Sequence, residues 1–168
     1  MMMTSKIDQN SRIVVRKATS AEEYLAARKL IEDYAIFLDV DLCFQDFNRE
    51  LETLATMYGP PNGCQYLVFY DGQLAGGVGL RRFDKETCEM KRLYVYPSFK
   101  GKGLGTLLVD SVIAEAKRLN YKKMVLDTIP KLETALQMYF RRGFYEVSPY
   151  YDNPHRHSMK VYFLALDL

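Results

Sequence analysis

Apolar positions along the chain switch between a period of two and a period near 3.6, and the switches mark out its elements. "RIVVRKAT" alternates as a short β-branched strand, and Thr19 or Ser20 stands where a helix N-cap is needed, with Glu22 and Glu23 in the first turn. That helix carries Leu25, Leu30, Ile31, Tyr34 and Phe37. "LDVDLCFQDFNRELETLATMYG" breaks the helical pattern and resumes it through Phe44, Phe47, Leu51 and Leu54. After the loop "GPPNG", "CQYLVFYDGQLAGGVGLRRF" reads as a hairpin turning at Asp71-Gly72. "TCEMKRLYVYP" is a strand that stops at Pro97, and a glycine-rich loop leads into a helix striped by Leu104, Leu108, Val112 and Ala116, with Leu107 beside the stripe. "KKMVLDT" is a strand, and "PKLETALQMYFRRG" is a helix with Pro130 near its start and Gly143 past its end. "FYEVSPYY" and "SMKVYFLALDL" close the chain as strands.

The order β-α-α-β-β-β-α-β-α-β-β predicts one α/β (α+β) domain over residues 1–168, with helices flanking a mixed, mostly antiparallel central sheet. Residues 1–11 are expected to be a flexible extension. The strands before and after the glycine loop and its helix should be parallel neighbours joined by a right-handed crossover.

Composition narrows the function. At 168 residues, 48% hydrophobic and 26% charged, the chain can bury a core without staples. A net charge of +2 gives no general affinity for nucleic acid. Cys43, Cys64 and Cys88 lack C-x-x-C spacing and read as reduced thiols, neither a disulfide framework nor a zinc site. No apolar run approaches the roughly 18 residues of a membrane span, and "MMMTSKIDQN" lacks the apolar stretch of a secretory signal. A cytoplasmic location follows as the default.

Gly101, Gly103 and Gly105, flanked by Lys100 and Lys102, interrupt the strand-to-helix connection. Glycine costs backbone entropy, so three together need a compensating reason, and a strand, glycine loop and helix N-terminus make an anion site. The P-loop pattern is absent, and Gly101-Lys102-Gly103-Leu104-Gly105 fails the dinucleotide spacing. A nucleotide-binding reading fails with them.

The arrangement resembles the GNAT acetyltransferase superfamily, whose pyrophosphate loop reads Arg or Gln, two residues, Gly, one residue, then Gly or Ala. Here it is Lys100-Gly101-Lys102-Gly103-Leu104-Gly105, with lysine in place of the usual arginine or glutamine. "LETALQMYFRRGF" is similar to that family's A-x-x-L-Y-x-x-x-GF helix, with Ala135, Tyr139 and Gly143-Phe144 in register. The element order also matches, so the resemblance covers the whole fold and is specific over roughly Glu89 to Phe144.

The resemblance implies acetyl-CoA or a related acyl-CoA as donor, with no metal, and a small amine or peptide as acceptor. The pyrophosphate would sit on the N–H groups from Lys102 to Thr106, with Lys100, Lys102 and Arg92 able to meet phosphates. The pantetheine arm would run along the backbone of Leu93, Tyr94 and Val95. Leu132 stands where the family often has a cofactor-contacting asparagine, which leaves Asp127 or Thr128 to replace that contact. Nucleic acid and membrane are not expected partners; a homodimer stays open.

Acyl transfer to an alkylammonium of pKa about 10, only about a thousandth of it free amine at pH 7, needs a base, an oxyanion donor and an acid for the leaving thiolate. Glu89, eleven residues before Lys100, matches the general-base glutamate of some family members, and Tyr139 the acid. The oxyanion donor would be a backbone N–H at a bulge between Leu93 and Val95. The plainer readings are that Glu89 pairs with Lys91 or Arg92 on a solvated edge and that Tyr139 is a core tyrosine.

For the acceptor, the candidates are Phe44, Phe47, Tyr150 and Tyr151 with Asp39, Asp41 and Asp46, unless the aromatics pack the core and the aspartates cap helices. His155 and His157 alternate at a strand entrance as surface histidines, two imidazoles without a third ligand. An enzyme transferring acetyl to a primary amine is the reading these residues favour. A non-catalytic acyl-CoA sensor is the alternative.

Overall fold

In the computed structural model, which describes residues 12–168, Ser20 closes a full capping box. Its hydroxyl accepts from the Glu23 N–H, and the Glu23 carboxylate accepts from the Ser20 N–H. The expected extension, residues 1–11, lies outside the described residues. Strand β1 (Ile13–Lys17) leads into α1 (Ala21–Leu38), two short helices α2 (Phe47–Glu52) and α3 (Leu54–Met57), and the meander β2 (Cys64–Tyr70), β3 (Gln73–Arg82) and β4 (Thr87–Val95). Then come α4 (Leu104–Arg118), β5 (Lys123–Thr128), α5 (Glu133–Arg141), β6 (Tyr145–Glu146) and β7 (Tyr162–Asp167).

Seven strands form one sheet in the order β1-β2-β3-β4-β5-β7-β6, antiparallel everywhere except between β4 and β5. The predicted architecture is therefore observed, down to the β2–β3 turn, where Asp71 and Gly72 both take positive φ, as a two-residue hairpin turn of this twist requires. One face of the sheet is covered by α4 and α5 through Leu104, Leu108, Val112, Ala116 and Leu136; the other is covered by α1 and α3 through Ala27, Leu30, Ile31 and Leu54.

Four details differ from the sequence reading. The second helical region is two short helices after a single turn at Cys43–Gln45, because Asp46 adopts a left-handed conformation (φ 56°) and Thr53 leaves helical geometry. The buried arc of α4 runs through Val109, spaced with Val112 and Ala116, and Leu107 is exposed. "FYEVSPYY" pairs only at Tyr145 and Glu146, plus one Val147 N–H to Phe163; Pro149 has no N–H to extend the ladder. His155 and His157 lie in a turn, Pro154–His157, and not on a strand.

The feature that shapes the site is the β4–β5 junction. These strands pair only at Thr87–Lys123, Cys88–Met124 and Glu89–Val125, and then separate. The parting coincides with a bulge: Gly77 pairs with Tyr94 and Gly79 with Lys91, so β4 carries one extra residue there. Arg92 sits in the bulge with φ 59°. Cys88 and Met90 face the α4–α5 layer before it, and Leu93 and Val95 do so after it. The extra residue has reset the alternation.

Candidate active site

The glycine loop presents free donors. Gly101 and Gly103 have φ of 79° and 74°, and Gly103 is the N-cap of α4 without a side chain to cap it. Among the described residues no acceptor takes the N–H groups from Gly101 to Thr106. A Cβ built on Gly101, Gly103 or Gly105 would meet no atom within 4 Å, so these glycines are not required by packing inside the protein. What their absent side chains leave open is the approach from outside. Lys100 and Lys102 are exposed beside it, their ammonium groups 5.5 Å from the Phe37 ring and 4.6 Å from the Tyr70 ring. Backbone donors, a helix N-terminus and two lysines fit a diphosphate.

The loop follows β4, and where β4 and β5 have parted lies a cleft of about 760 Å³, counting space open to solvent. Leu93, Thr128, Leu132 and Tyr139 line it. On the facing sides of the gap, β4 beyond Glu89 and β5 beyond Val125 have no strand partner, a geometry that suits an extended ligand with its own amides. Thr128 Oγ1 is buried there with no hydrogen-bond partner among the described residues. The bulge lies at Arg92–Leu93, one step earlier than expected, and Tyr94 and Val95 pair regularly with Gly77 and Gly76. The strand twist at Arg92, not at Tyr94, is what breaks the ladder.

Tyr139 is 5% exposed on α5, its ring 5.5 Å from Phe144, and its hydroxyl makes no hydrogen bond among the described residues. Burial, with Tyr34 and Asp127 adding, pushes its phenol well above the ordinary range, so it holds its proton at neutral pH. Glu89 is 1% exposed and does not face the larger cleft. It lines an adjoining one of about 430 Å³ with Arg81, Phe83, Tyr150 and Tyr151. The plainer alternative, a pairing with Lys91 or Arg92 on a solvated edge, does not occur. Arg81 donates from Nε to Oε1 (2.8 Å) and brings Nη2 within 2.7 Å of the same oxygen as an ion pair, and Tyr150 donates to Oε2 (2.6 Å). Arg81 is the cross-strand neighbour of Glu89, whereas Arg92 is drawn off by the bulge.

Arg92 is instead clamped by Glu50 of α2, with Nε–Oε2 at 2.9 Å and Nη2–Oε1 at 2.7 Å, and Tyr58 also donates to Oε2 (2.9 Å). The Tyr58 ring lies against Gly79, where any Cβ would come within 2.8 Å of it. Gln45 Oε1 accepts from both Arg92 (2.7 Å) and Lys91 (3.1 Å), and Gln45 donates to Tyr151 (3.0 Å). Tyr151 donates to Asp127 Oδ2, to which Asn153 also donates at 3.3 Å. A polar network thus spans both clefts. Gln45, Lys91, Arg92, Asp127, Tyr151 and Asn153 are joined in it, drawn from four separate segments.

Of the sequence candidates for the acceptor side, Tyr150 and Tyr151 line the smaller cleft, while Phe47 lines neither and packs 5.5 Å from the Arg92 guanidinium. The Phe44 side chain lies outside what the structure describes. Asp39 ends α1, Asp41 accepts the Cys43 N–H, and Asp46 sits in the turn before α2, so the aspartates serve the chain's turns. His155 approaches the Asp41 carbonyl at 2.7 Å on the cleft rim, and His157 is exposed. Among the described residues no cluster could hold a metal ion, and no helix is long and apolar enough to cross a membrane. The three cysteines are free.

A helix-start anion loop that opens onto two parting parallel strands defines a coenzyme-A-dependent acyltransferase. The chain belongs to the GNAT acetyltransferase family, whose sequence signature, "Acetyltransferase (GNAT) family", matches residues 25–144. An uncharacterized N-acetyltransferase of Schizosaccharomyces pombe is 41% identical over 130 residues, 76% of this chain and 79% of its own. Another, from Dictyostelium discoideum, is 31% identical and spans 93% of this chain and all of its own. An Elizabethkingia anophelis GNAT acetyltransferase with acetyl-CoA bound shares the fold, with TM-score 0.69 and 22% identity over 94% of this chain and 99% of that one.

Proposed function

We propose that the protein transfers the acetyl group of acetyl-CoA to a primary amine of a small molecule or peptide, by direct attack with both substrates bound. The observation that carries this is the run of unclaimed N–H groups from Gly101 to Thr106 opening onto the gap between β4 and β5. Acetyl-CoA supplies the acyl group as a thioester. The loop from Lys100 to Thr106 holds its diphosphate, and the backbone of Leu93, Tyr94 and Val95 aligns its pantetheine arm. The ammonium first gives up one proton; the amine nitrogen then bonds to the thioester carbon, the C–S bond breaks, nitrogen gives up a second proton and sulfur takes one up, so that one proton is released overall.

Tyr139 delivers the proton to sulfur, since its phenol is held neutral in the cleft wall. The base has two readings. Glu89 matches the expected position, yet both of its oxygens are engaged, so it acts through Tyr150, whose hydroxyl hands a proton to Oε2 while taking one from the ammonium. Asp127 lines the same cleft as Tyr139, and its Oδ1 accepts no hydrogen bond among the described residues, which favours direct contact with the amine.

Acetyl-CoA should raise the melting temperature, by about 2.7 kcal/mol of stabilisation at a hundred times its Kd. Gly105→Val tests the loop: a Cβ there meets no atom within 4 Å and the position is helical, so the fold should hold. The acetyl-CoA shift should vanish. A folded variant with an unchanged shift removes the loop from the donor site.

A further inference from the structure

Lys91 is a buried cation with no ion-pair partner among the described residues, although the Glu89 and Asp127 carboxylates lie near enough to act on it. It is 6% exposed, and its ammonium makes one hydrogen bond, to the neutral Gln45 Oε1 at 3.1 Å. No carboxylate lies within ion-pair distance of it among the described residues. Every other cation near it is committed, Arg81 to Glu89 and Arg92 to Glu50. Burial, with Arg92 adding, lowers the Lys91 pKa, and Glu89 and Asp127 only partly offset this. Burying an ammonium without a partner is among the costlier arrangements a protein can hold. Two of its three N–H donors have no acceptor among the described residues, and Lys91 lines both clefts.

The larger cleft also holds the opposite charge. Asp127, at the end of β5, receives only neutral donors, Tyr151 and Asn153. A ligand that satisfies both would bring an anion to Lys91 and an ammonium to Asp127. From this geometry, and resting on the acetyl-transfer reading above, we infer that the acceptor is a carboxylate-bearing amine, an amino acid in the simplest case, whose carboxylate is received by Lys91 and whose amino group lies toward Asp127. A phosphate dianion would face the Asp127 carboxylate across the same space; a carboxylate with its own ammonium neutralises both ends. Lys91 acts here in specificity, holding the acceptor and taking no part in bond making.

The test uses the wild-type chain and Lys91→Met, which keeps length and apolar stem. The twenty protein amino acids are offered with acetyl-CoA, each beside its α-carboxamide and, where available, the amine without a carboxyl group. Thiol release gives kcat/KM, and thermal shift without acetyl-CoA gives acceptor binding separately. Wild type should favour the carboxylate form of its best acceptor by roughly 10- to 100-fold, the range of one charge-assisted hydrogen bond. Lys91→Met should erase that preference through KM, keep the acetyl-CoA shift, and melt no lower than wild type because a lone buried charge is gone. Equal use of acid and amide by wild type, a preference that survives in Lys91→Met, or better use of phosphoethanolamine than of any carboxylate would each overturn the assignment. If acetyl-CoA fails to bind while carboxylate amines still stabilise wild type and not Lys91→Met, the acetyl-transfer reading falls and the ligand class stands.

Discussion

Glu50→Gln removes one charge from beneath the β4 bulge. In the native protein Glu50 and Arg92 are both nearly inaccessible, 1% and 8% exposed, and joined by two parallel hydrogen bonds, with Tyr58 as a third donor. Breaking one side of such a pair leaves the other charge buried alone and costs about 3–5 kcal/mol. At about 2–4 °C per kcal/mol for a chain of this size, the melting temperature should fall by roughly 6–20 °C. Replacing both partners, Glu50→Leu with Arg92→Met, should recover much of that loss, since no charge is then stranded.

The same carboxylate predicts an acid signature. Burial opposes its ionisation, but hydrogen bonds and charge from Arg92, with Lys91 and Tyr58 adding, outweigh it and hold Glu50 below its ordinary range. A carboxylate whose folded pKa lies below its unfolded value of about 4.3 contributes its full stability above that pH and loses it as pH falls through the folded value. Urea unfolding followed from pH 7 downward should therefore bring wild type and Glu50→Gln closer together below about pH 4. A single variant that loses under about 1 kcal/mol at pH 7, or a gap that does not narrow in acid, would refute the clamp.

Tyr139→Phe should lower turnover about 10²–10⁴-fold while leaving the unfolding free energy within about 0.5 kcal/mol of wild type, because the lost hydroxyl makes no hydrogen bond among the described residues. A stability loss with unaltered turnover would make it a packing residue only. Asp127→Asn and Glu89→Gln separate the two bases: the true one should lose most turnover at low pH, where the ammonium is hardest to deprotonate, and both should keep acetyl-CoA affinity. If neither variant changes the pH–rate profile, proton removal runs through water alone.

Much of this was legible in one sequence because the signals are local. Periodicity carried the element order, Asp71-Gly72 the hairpin, and glycine spacing the loop at the start of α4. The acceptor side was not, because its partners are far apart in sequence. Arg92 meets Glu50 and Gln45 through folding alone, and Glu89 meets Arg81 across a hairpin. "MKRLYVY" did hold a clue: in a strand covered on both faces, two adjacent charges cannot both reach solvent by alternation. A bulge that points both inward resolves the conflict. Leu107 misled for the opposite reason, since an apolar residue on a helix flank need not be buried.

A sheet normally has two edges to guard; this one has four, because β4 and β5 part inside it. Unpaired strand edges invite other chains to join, and the outer ones are commonly blunted by short length or charge. Here β6 is only two residues long, and β1 carries Arg16 and Lys17. The inner edges of β4 and β5 lie within the fold, lining a cleft with Lys91 and Arg92 set beside it, where no outer strand edge is presented. An opening suited to an extended, amide-bearing ligand would at the same time guard the protein against templating its own aggregation.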